Sequence, residues 1–248
     1  MPGPGHFDAH ADAYDRGRPP YPDVLWQRLR DLRLLRPGVR VLELGAGTGK
    51  ATGPMIEAGA SVLAVEPGEI LAARLRLRWP QAEVVVGTAE GVPFPAGAFD
   101  LAVAATAVHW FDLGVVLPRV HRALRTDGHL AVWRNAYGDP EAPMTPFRER
   151  VAAIVARREA PARRPGPGEL EDDAWADVLT GGGLFQVVHR DRFRWTVDLG
   201  ADQVRDLFTT FSDWTPAEAD EAAQAAADLG GTVREHYVTP LVVLRRVA

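Results

Sequence analysis

The chain has 248 residues, 46% hydrophobic and 25% charged, with a net charge of −5 and no cysteine. That composition excludes a disordered chain and gives one α/β domain enough residues for its own core. It also excludes disulfides, thiolate metal sites and cysteine nucleophiles, and the acidic balance argues against broad affinity for nucleic acid. Nearly all the positive charge is arginine, Lys50 being the only lysine. We read this as compositional bias, and a small molecule is the expected partner. No apolar run reaches the ~18 residues of a membrane span, and Met1–His6 has no cationic stretch before an apolar core. A soluble, cytoplasmic monomer or homodimer with no membrane partner is expected.

The first strong signal is the apolar run Val39–Leu44, bounded by Pro37-Gly38 and a glycine cluster, which fits a strand buried on both faces. A helix through about Glu57 follows it. Ser61–Val65 is the second strand, ended by Glu66-Pro67-Gly68, and Ile70–Trp79 a helix with Arg74, Arg76 and Arg78 solvated or snorkelling. Val84–Val86 and Phe99–Ala105 are the third and fourth strands. Leu113–Leu124 is a helix closed by the turn Thr126-Asp127-Gly128, and His129–Trp133 the fifth strand. This rhythm predicts right-handed crossovers and a doubly wound sheet.

The rhythm then breaks. Pro140–Ala160 reads as helical, Pro161–Gly168 as a linker carrying Arg163 and Arg164, and Asp173–Leu179 as a helix before Gly181-Gly182-Gly183. Phe185–Trp195 and Tyr237–Val247 are late strands, with helices near Ala201–Thr210 and Pro216–Leu229. The expected fold is α/β: a doubly wound, mostly parallel seven-stranded sheet with an antiparallel last strand and a helical lid insertion. One domain is expected, with an N-terminal lid and helix (1–36), a cofactor-binding core (37–135), the insertion (136–183) and closing elements (184–248).

A strand, glycines and then a helix can hold a nucleotide at the carboxyl end of a sheet. Three ligand classes compete for Gly45-Ala46-Gly47-Thr48-Gly49. A phosphate-binding loop needs glycine at Leu44 and a hydroxyl residue at Ala51, so Gly49-Lys50 is a near miss. The dinucleotide fingerprint needs glycine at Lys50. Glu43, just before the loop, would repel a pyrophosphate but favours the ammonium and sulfonium of S-adenosylmethionine. Glu66, closing the second strand, stands where an acid accepts hydrogen bonds from both ribose hydroxyls.

Val41 to Gly49 resembles the first motif of class I S-adenosylmethionine-dependent methyltransferases, and Val65-Glu66-Pro67 their second. Gly87-Thr88-Ala89-Glu90, followed by Val92-Pro93-Phe94, is similar to the segment bordering the adenine. Phe99-Asp100-Leu101 through His109-Trp110-Phe111 resembles the fourth-strand region, and Arg122–Leu130 the helix-turn-strand after it. Together with Tyr14–Pro22, the His-Trp-Phe run resembles the branch holding trans-aconitate-type methyltransferases. Two departures stand out: Ala46 where many members have cysteine, and Thr126-Asp127 for a common Lys-Pro.

The resemblance implies S-adenosyl-L-methionine as cofactor, bound by Tyr14, Arg18, Glu43, Gly45, Ala46, Gly47, Thr48, Gly49, Glu66, Pro67, Thr88, Ala89, Glu90 and Thr106. Arg18 would hold the methionyl carboxylate and Tyr14 close over the sulfonium. His109 is the candidate catalytic residue, orienting the acceptor or taking its proton; packing beneath the cofactor or lid is the competing role. Trp110 and Phe111 either line the acceptor pocket or belong to the core. The implied reaction is methyl transfer to an oxygen or nitrogen of a small organic acceptor. A nicotinamide-dependent oxidoreductase and a non-catalytic S-adenosylmethionine-binding module are the alternatives. His6 and His10 suggest no function, and His121, His129 and His189 have no metal-ligand spacing.

Overall fold

The computed structural model describes residues 8–158 and 167–248. His6, Arg163, Arg164 and most of the predicted linker lie outside the described residues. Those described form two compact units: a larger one from 20–136, 167–193 and 239–248, and a smaller one from 8–19, 137–158 and 194–238. Among the described residues no helix is long and apolar enough to cross a membrane.

In the larger unit, α2 (Asp23–Asp31) leads to β1 (Arg40–Leu44), α3 (Thr52–Glu57), β2 (Ser61–Glu66), α4 (Glu69–Arg78), β3 (Glu83–Val86) and β4 (Phe99–Ala105). A 3₁₀ turn at Val108–Trp110, α5 (Leu113–Ala123) and β5 (Leu124–Trp133) follow. The later segments add α7 (Asp172–Thr180), the first half of β7 (Phe185–Gly200) and the last half of β8 (Thr232–Arg246). The strand order is β3-β2-β1-β4-β5-β8. The first five strands run parallel, and β8 is antiparallel to β5. The chain reverses its winding between β1 and β4, where open sheets of this kind bind ligands.

Side chains along each strand alternate between two cores, because the pleat has a period of two. Val41, Val62, Ala64, Leu101 and Val103 join Leu25, Trp26, Leu29, Met55 and Leu75 on one face. Leu42, Leu44, Val65, Ala102 and Ala104 join Val116, Val120, Trp175 and Leu179 on the other. Burial on both sides explains why these strands read as mostly apolar runs.

Three predicted features differ. The segment predicted as a turn, Thr126-Asp127-Gly128, lies inside β5, which starts at Leu124. Asp127 adopts φ 64°, and the β4–β5 register slips between Phe99 and Leu101, so the chain passes the kink as an irregularity within one strand. The sheet has eight strands among the described residues rather than seven, because Ala136–Tyr137 forms a two-residue β6 and β7 also pairs with β8. The helix predicted over Pro140–Ala160 is α6 (Pro146–Ala156), delayed until Thr145 caps it through the Arg148 amide and Pro146 takes its first turn.

The smaller unit has its own core. Phe147, Val151 and Ile154 of α6 cluster with Val204, Leu207 and Phe208 of α8 (Ala201–Thr209) and Ala219, Ala222 and Ala226 of α9 (Pro216–Asp228). Here α1 (Ala11–Gly17) crosses α8 backbone against backbone. A Cβ at Gly17 would lie 2.3 Å from the Leu207 nitrogen and 2.5 Å from the Asp206 carbonyl carbon. Arg16 fixes the crossing, its Nε 2.7 Å from Asp206 Oδ2. Since backbone cannot yield as a side-chain tip can, Gly17→Ala is expected to destabilise the protein by about 1–3 kcal/mol. The measurement is the urea midpoint, and an unchanged midpoint would contradict the close crossing.

Candidate active site

The carboxyl ends of β3, β2, β1 and β4 lie side by side, and the candidate residues of the larger unit sit at them. The glycine loop leaves β1 by a sharp path: Gly45, Gly47 and Gly49 have φ of 71°, 58° and 86°. These are left-handed values that glycine adopts without steric cost. The Gly45 and Ala46 amides both donate to the Val65 carbonyl, at 2.8 and 3.1 Å. Gly45 also admits its neighbour, since a Cβ there would stand 2.6 Å from Ala107 Cβ.

Glu66 joins loop to strand. Its carboxylate accepts the Gly47 amide on Oε2 at 2.8 Å and, reaching over Pro67, the Gly68 amide on Oε1 at 2.9 Å. The residue is 5% exposed. Two amides orient the group, and an ionised carboxylate has about four acceptor sites.

Glu43 is buried more deeply, at 1% exposure. Its Oε2 accepts the Thr52 hydroxyl at 2.6 Å, while Oε1 has no hydrogen-bond partner. Burial pushes its carboxyl up to about 8; the Thr52 hydrogen bond opposes the rise and the Glu66 charge adds to it. Thr48, equally buried, has an Oγ1 without a partner. Two unsatisfied polar atoms beneath a glycine loop require a physical reason, because each is costly to bury.

The other candidates frame the same edge. Thr88 and Ala89 form the turn after β3: the Thr88 hydroxyl accepts the Gly91 amide at 3.2 Å, and the Ala89 carbonyl accepts Arg119 Nε at 3.3 Å. Glu90 reaches from that turn to the loop after β4, accepting the Asp112 amide at 3.0 Å. Thr106, immediately after β4, has φ 58°. For a β-branched residue that conformation is a true outlier, costing about 1–3 kcal/mol. His109 and Trp110 lie on the 3₁₀ turn, their rings 4.9 Å apart and tilted at 45°. All three of His109, Trp110 and Phe111 are partly exposed, and Phe111 packs against the core cluster that holds Leu42 and Leu44.

Tyr14 and Arg18 belong to the smaller unit, where they meet each other. Arg18 Nε donates to Thr210 Oγ1 at 2.8 Å and Nη2 to the Thr210 carbonyl at 3.2 Å. Its guanidinium lies 4.7 Å from the Phe211 ring centre and 5.8 Å from that of Tyr14. Among the described residues no cluster of three or more metal-ligating side chains occurs.

Several residues that shape the site were not singled out by sequence. Thr52 supports Glu43 across nine positions. Trp79, at the end of α4, lies beneath the loop: a Cβ at Gly49 would fall 2.8 Å from its Cδ1, and one at Gly53 only 2.1 Å from its Cζ2. A glycine inside a helix was the available signal for that packing.

The family model of the methyltransferase domain matches residues 42–132. An uncharacterized methyltransferase of Mycobacterium tuberculosis (strain ATCC 25618 / H37Rv) is 41% identical over 207 residues, spanning 83% of this chain and 76% of the relative. Nocamycin O-methyltransferase of Saccharothrix syringae is 27% identical over 266 residues, spanning 93% of this chain and 90% of the relative. A solved structure, a candidate type II methyltransferase from Anaeromyxobacter dehalogenans, has a TM-score of 0.62 at 24% identity and covers 91% of this chain and 97% of its own. The chain therefore belongs to the class I S-adenosylmethionine-dependent methyltransferases. Family membership decides against the nicotinamide-dependent alternative that the loop spacing left open.

The buried acid gives a pH signature. Folded Glu43 holds its proton up to about 8, whereas in the unfolded chain it titrates near 4.5. Between those values the folded state binds more protons, so its stability falls as pH rises through the window. Glu43→Gln, with no proton to release, is expected to gain stability relative to the parent between about pH 5 and about pH 8. Urea unfolding of both proteins without ligand checks this; a constant difference across the window would contradict it.

Proposed function

We propose that the enzyme transfers the methyl group of S-adenosylmethionine to an oxygen or nitrogen of a small organic acceptor, in the manner of the trans-aconitate-type branch. The observation that carries the cofactor assignment is the pair of buried carboxylates, Glu43 and Glu66, beneath the glycine loop. A pyrophosphate brought to that floor meets acceptor oxygens like its own, whereas the ammonium and hydroxyl donors of S-adenosylmethionine meet acceptors there. The residues fit the cofactor: the unpartnered Oε1 of Glu43 and Oγ1 of Thr48 leave hydrogen-bonding capacity for a polar ligand.

In this reading Glu66 takes the ribose hydroxyls, held in place by the Gly47 and Gly68 amides. Gly45, Ala46, Gly47, Thr48 and Gly49 offer close backbone approach, with Glu43 as the acid behind them. Pro67, Thr88, Ala89, Glu90 and Thr106 border the nucleoside. For Tyr14 and Arg18 a role in binding rests on the sequence resemblance. Bound S-adenosylmethionine supplies an electrophilic methyl group, and the protein contributes orientation and exclusion of water.

His109, with Trp110 and Phe111, is assigned to the acceptor. A carboxylate acceptor needs no base. A phenol or amine needs its proton removed, and the His109 imidazole is the group for that task. The O-methyltransferase named among the relatives supports a small-molecule acceptor.

Replacing Glu66 removes the partner of two hydroxyls and releases the Gly47 amide. Glu66→Ala is expected to weaken S-adenosylmethionine binding by about 100-fold or more, from roughly 1.5–3 kcal/mol per hydrogen bond to a charged group. Calorimetric titration measures it. Affinity equal to the parent's would remove the cofactor assignment.

A further inference from the structure

Thr106 stands in a conformation that a threonine does not keep without support, and the support is polar. Its Oγ1 lies 2.9 Å from the Tyr21 hydroxyl and accepts the Asn135 amide at 3.4 Å. Asn135 then holds the same N-terminal segment from a second side, its Nδ2 donating to the Pro20 carbonyl at 3.1 Å. Asn135 Oδ1 accepts the Thr239 hydroxyl of β8 at 2.8 Å. The Tyr21 ring itself is fixed by apolar contacts, edge-on to Trp26 at 6.1 Å and to Trp133 at 5.8 Å. Packing thus holds the ring with its hydroxyl against Thr106.

The residue after Thr106 is the one that meets the glycine loop. Ala107 packs against Gly45 so closely that any side chain there would collide with it. The left-handed turn at Thr106 directs Ala107 toward the loop, and Thr106 is held by Tyr21 and Asn135.

We propose that Tyr21, Thr106 and Asn135 form a latch that sets the position of the glycine loop, making Tyr21 and Asn135 positioning residues for cofactor binding. The inference rests on the S-adenosylmethionine assignment above. It adds Tyr21 and Asn135, acting through the turn after β4.

Tyr21→Phe keeps the aromatic packing and deletes the hydroxyl. Its ligand-free melting temperature should stay within about 2 °C of the parent, while its dissociation constant for S-adenosylhomocysteine, measured by calorimetry, should rise about 5- to 10-fold. Thr106→Val should weaken binding as much or more, and Thr106→Ser, which retains the hydroxyl, should restore parental affinity. Because Tyr21 and Thr106 share one bond, the double variant Tyr21→Phe/Thr106→Val should bind no worse than Thr106→Val alone. Parental affinity in both single hydroxyl deletions overturns the latch. So does a melting temperature that falls in step with affinity and is not recovered in Thr106→Ser. If the parent fails to bind S-adenosylhomocysteine, the cofactor assignment falls and the latch with it.

Discussion

The hydrogen bond from the Gly47 amide to the Glu66 carboxylate joins the end of β2 to the loop that ends β1. It requires Gly47 to hold φ 58° so that its amide faces the neighbouring strand. It also requires the Glu66 side chain to stay buried, at 5% exposure, where the Gly47 and Gly68 amides satisfy one oxygen each. The loop's remaining contacts fall into line around this bond. Gly45 and Ala46 donate to Val65, one residue before Glu66, and Ala107 closes against Gly45 from β4. Three adjacent parallel strands are thereby tied together at their carboxyl ends.

A second constraint follows from placing Glu43 beside Glu66. Two carboxyls share a buried floor, and the deeper one, mainly through burial and less through the Glu66 charge, holds its proton to about 8. Only one of its oxygens is satisfied from within the chain. In the proposed reading, acids set around a glycine loop that could otherwise hold several nucleotides favour a ligand bearing donors such as an ammonium over a polyanion.

The cofactor half of the molecule was largely legible in the sequence because its signals are local. Val41–Leu44, Ser61–Val65 and Phe99–Ala105 are mostly apolar runs bounded by glycine and proline, as strands buried on both faces tend to be. Glu43 and Glu66 announced themselves by position relative to the loop. What was not legible depends on tertiary contact. Thr52 under Glu43, Trp79 under Gly53, and the Tyr21–Thr106–Asn135 network pair residues whose separation carries no period. The kink at Asp127 looked like a turn because Thr-Asp-Gly is turn chemistry, yet β5 pairs with β4 on both sides of it, at Leu124 and again from His129. The end of β7, at Gly200 rather than Trp195, and the start of β8, at Thr232 rather than Tyr237, were set short because Asp198, Arg234 and Glu235 interrupt the apolar pattern.

The central claim is that the acids around the loop select a cationic nucleoside over a pyrophosphate-bearing one. Thermal shift of the same protein with S-adenosylmethionine and with NAD, each at matched concentration, compares the two directly. A bound ligand raises the melting temperature in proportion to the logarithm of its occupancy term. S-adenosylmethionine should raise it and NAD should leave it unchanged. A rise with NAD and none with S-adenosylmethionine would contradict the account.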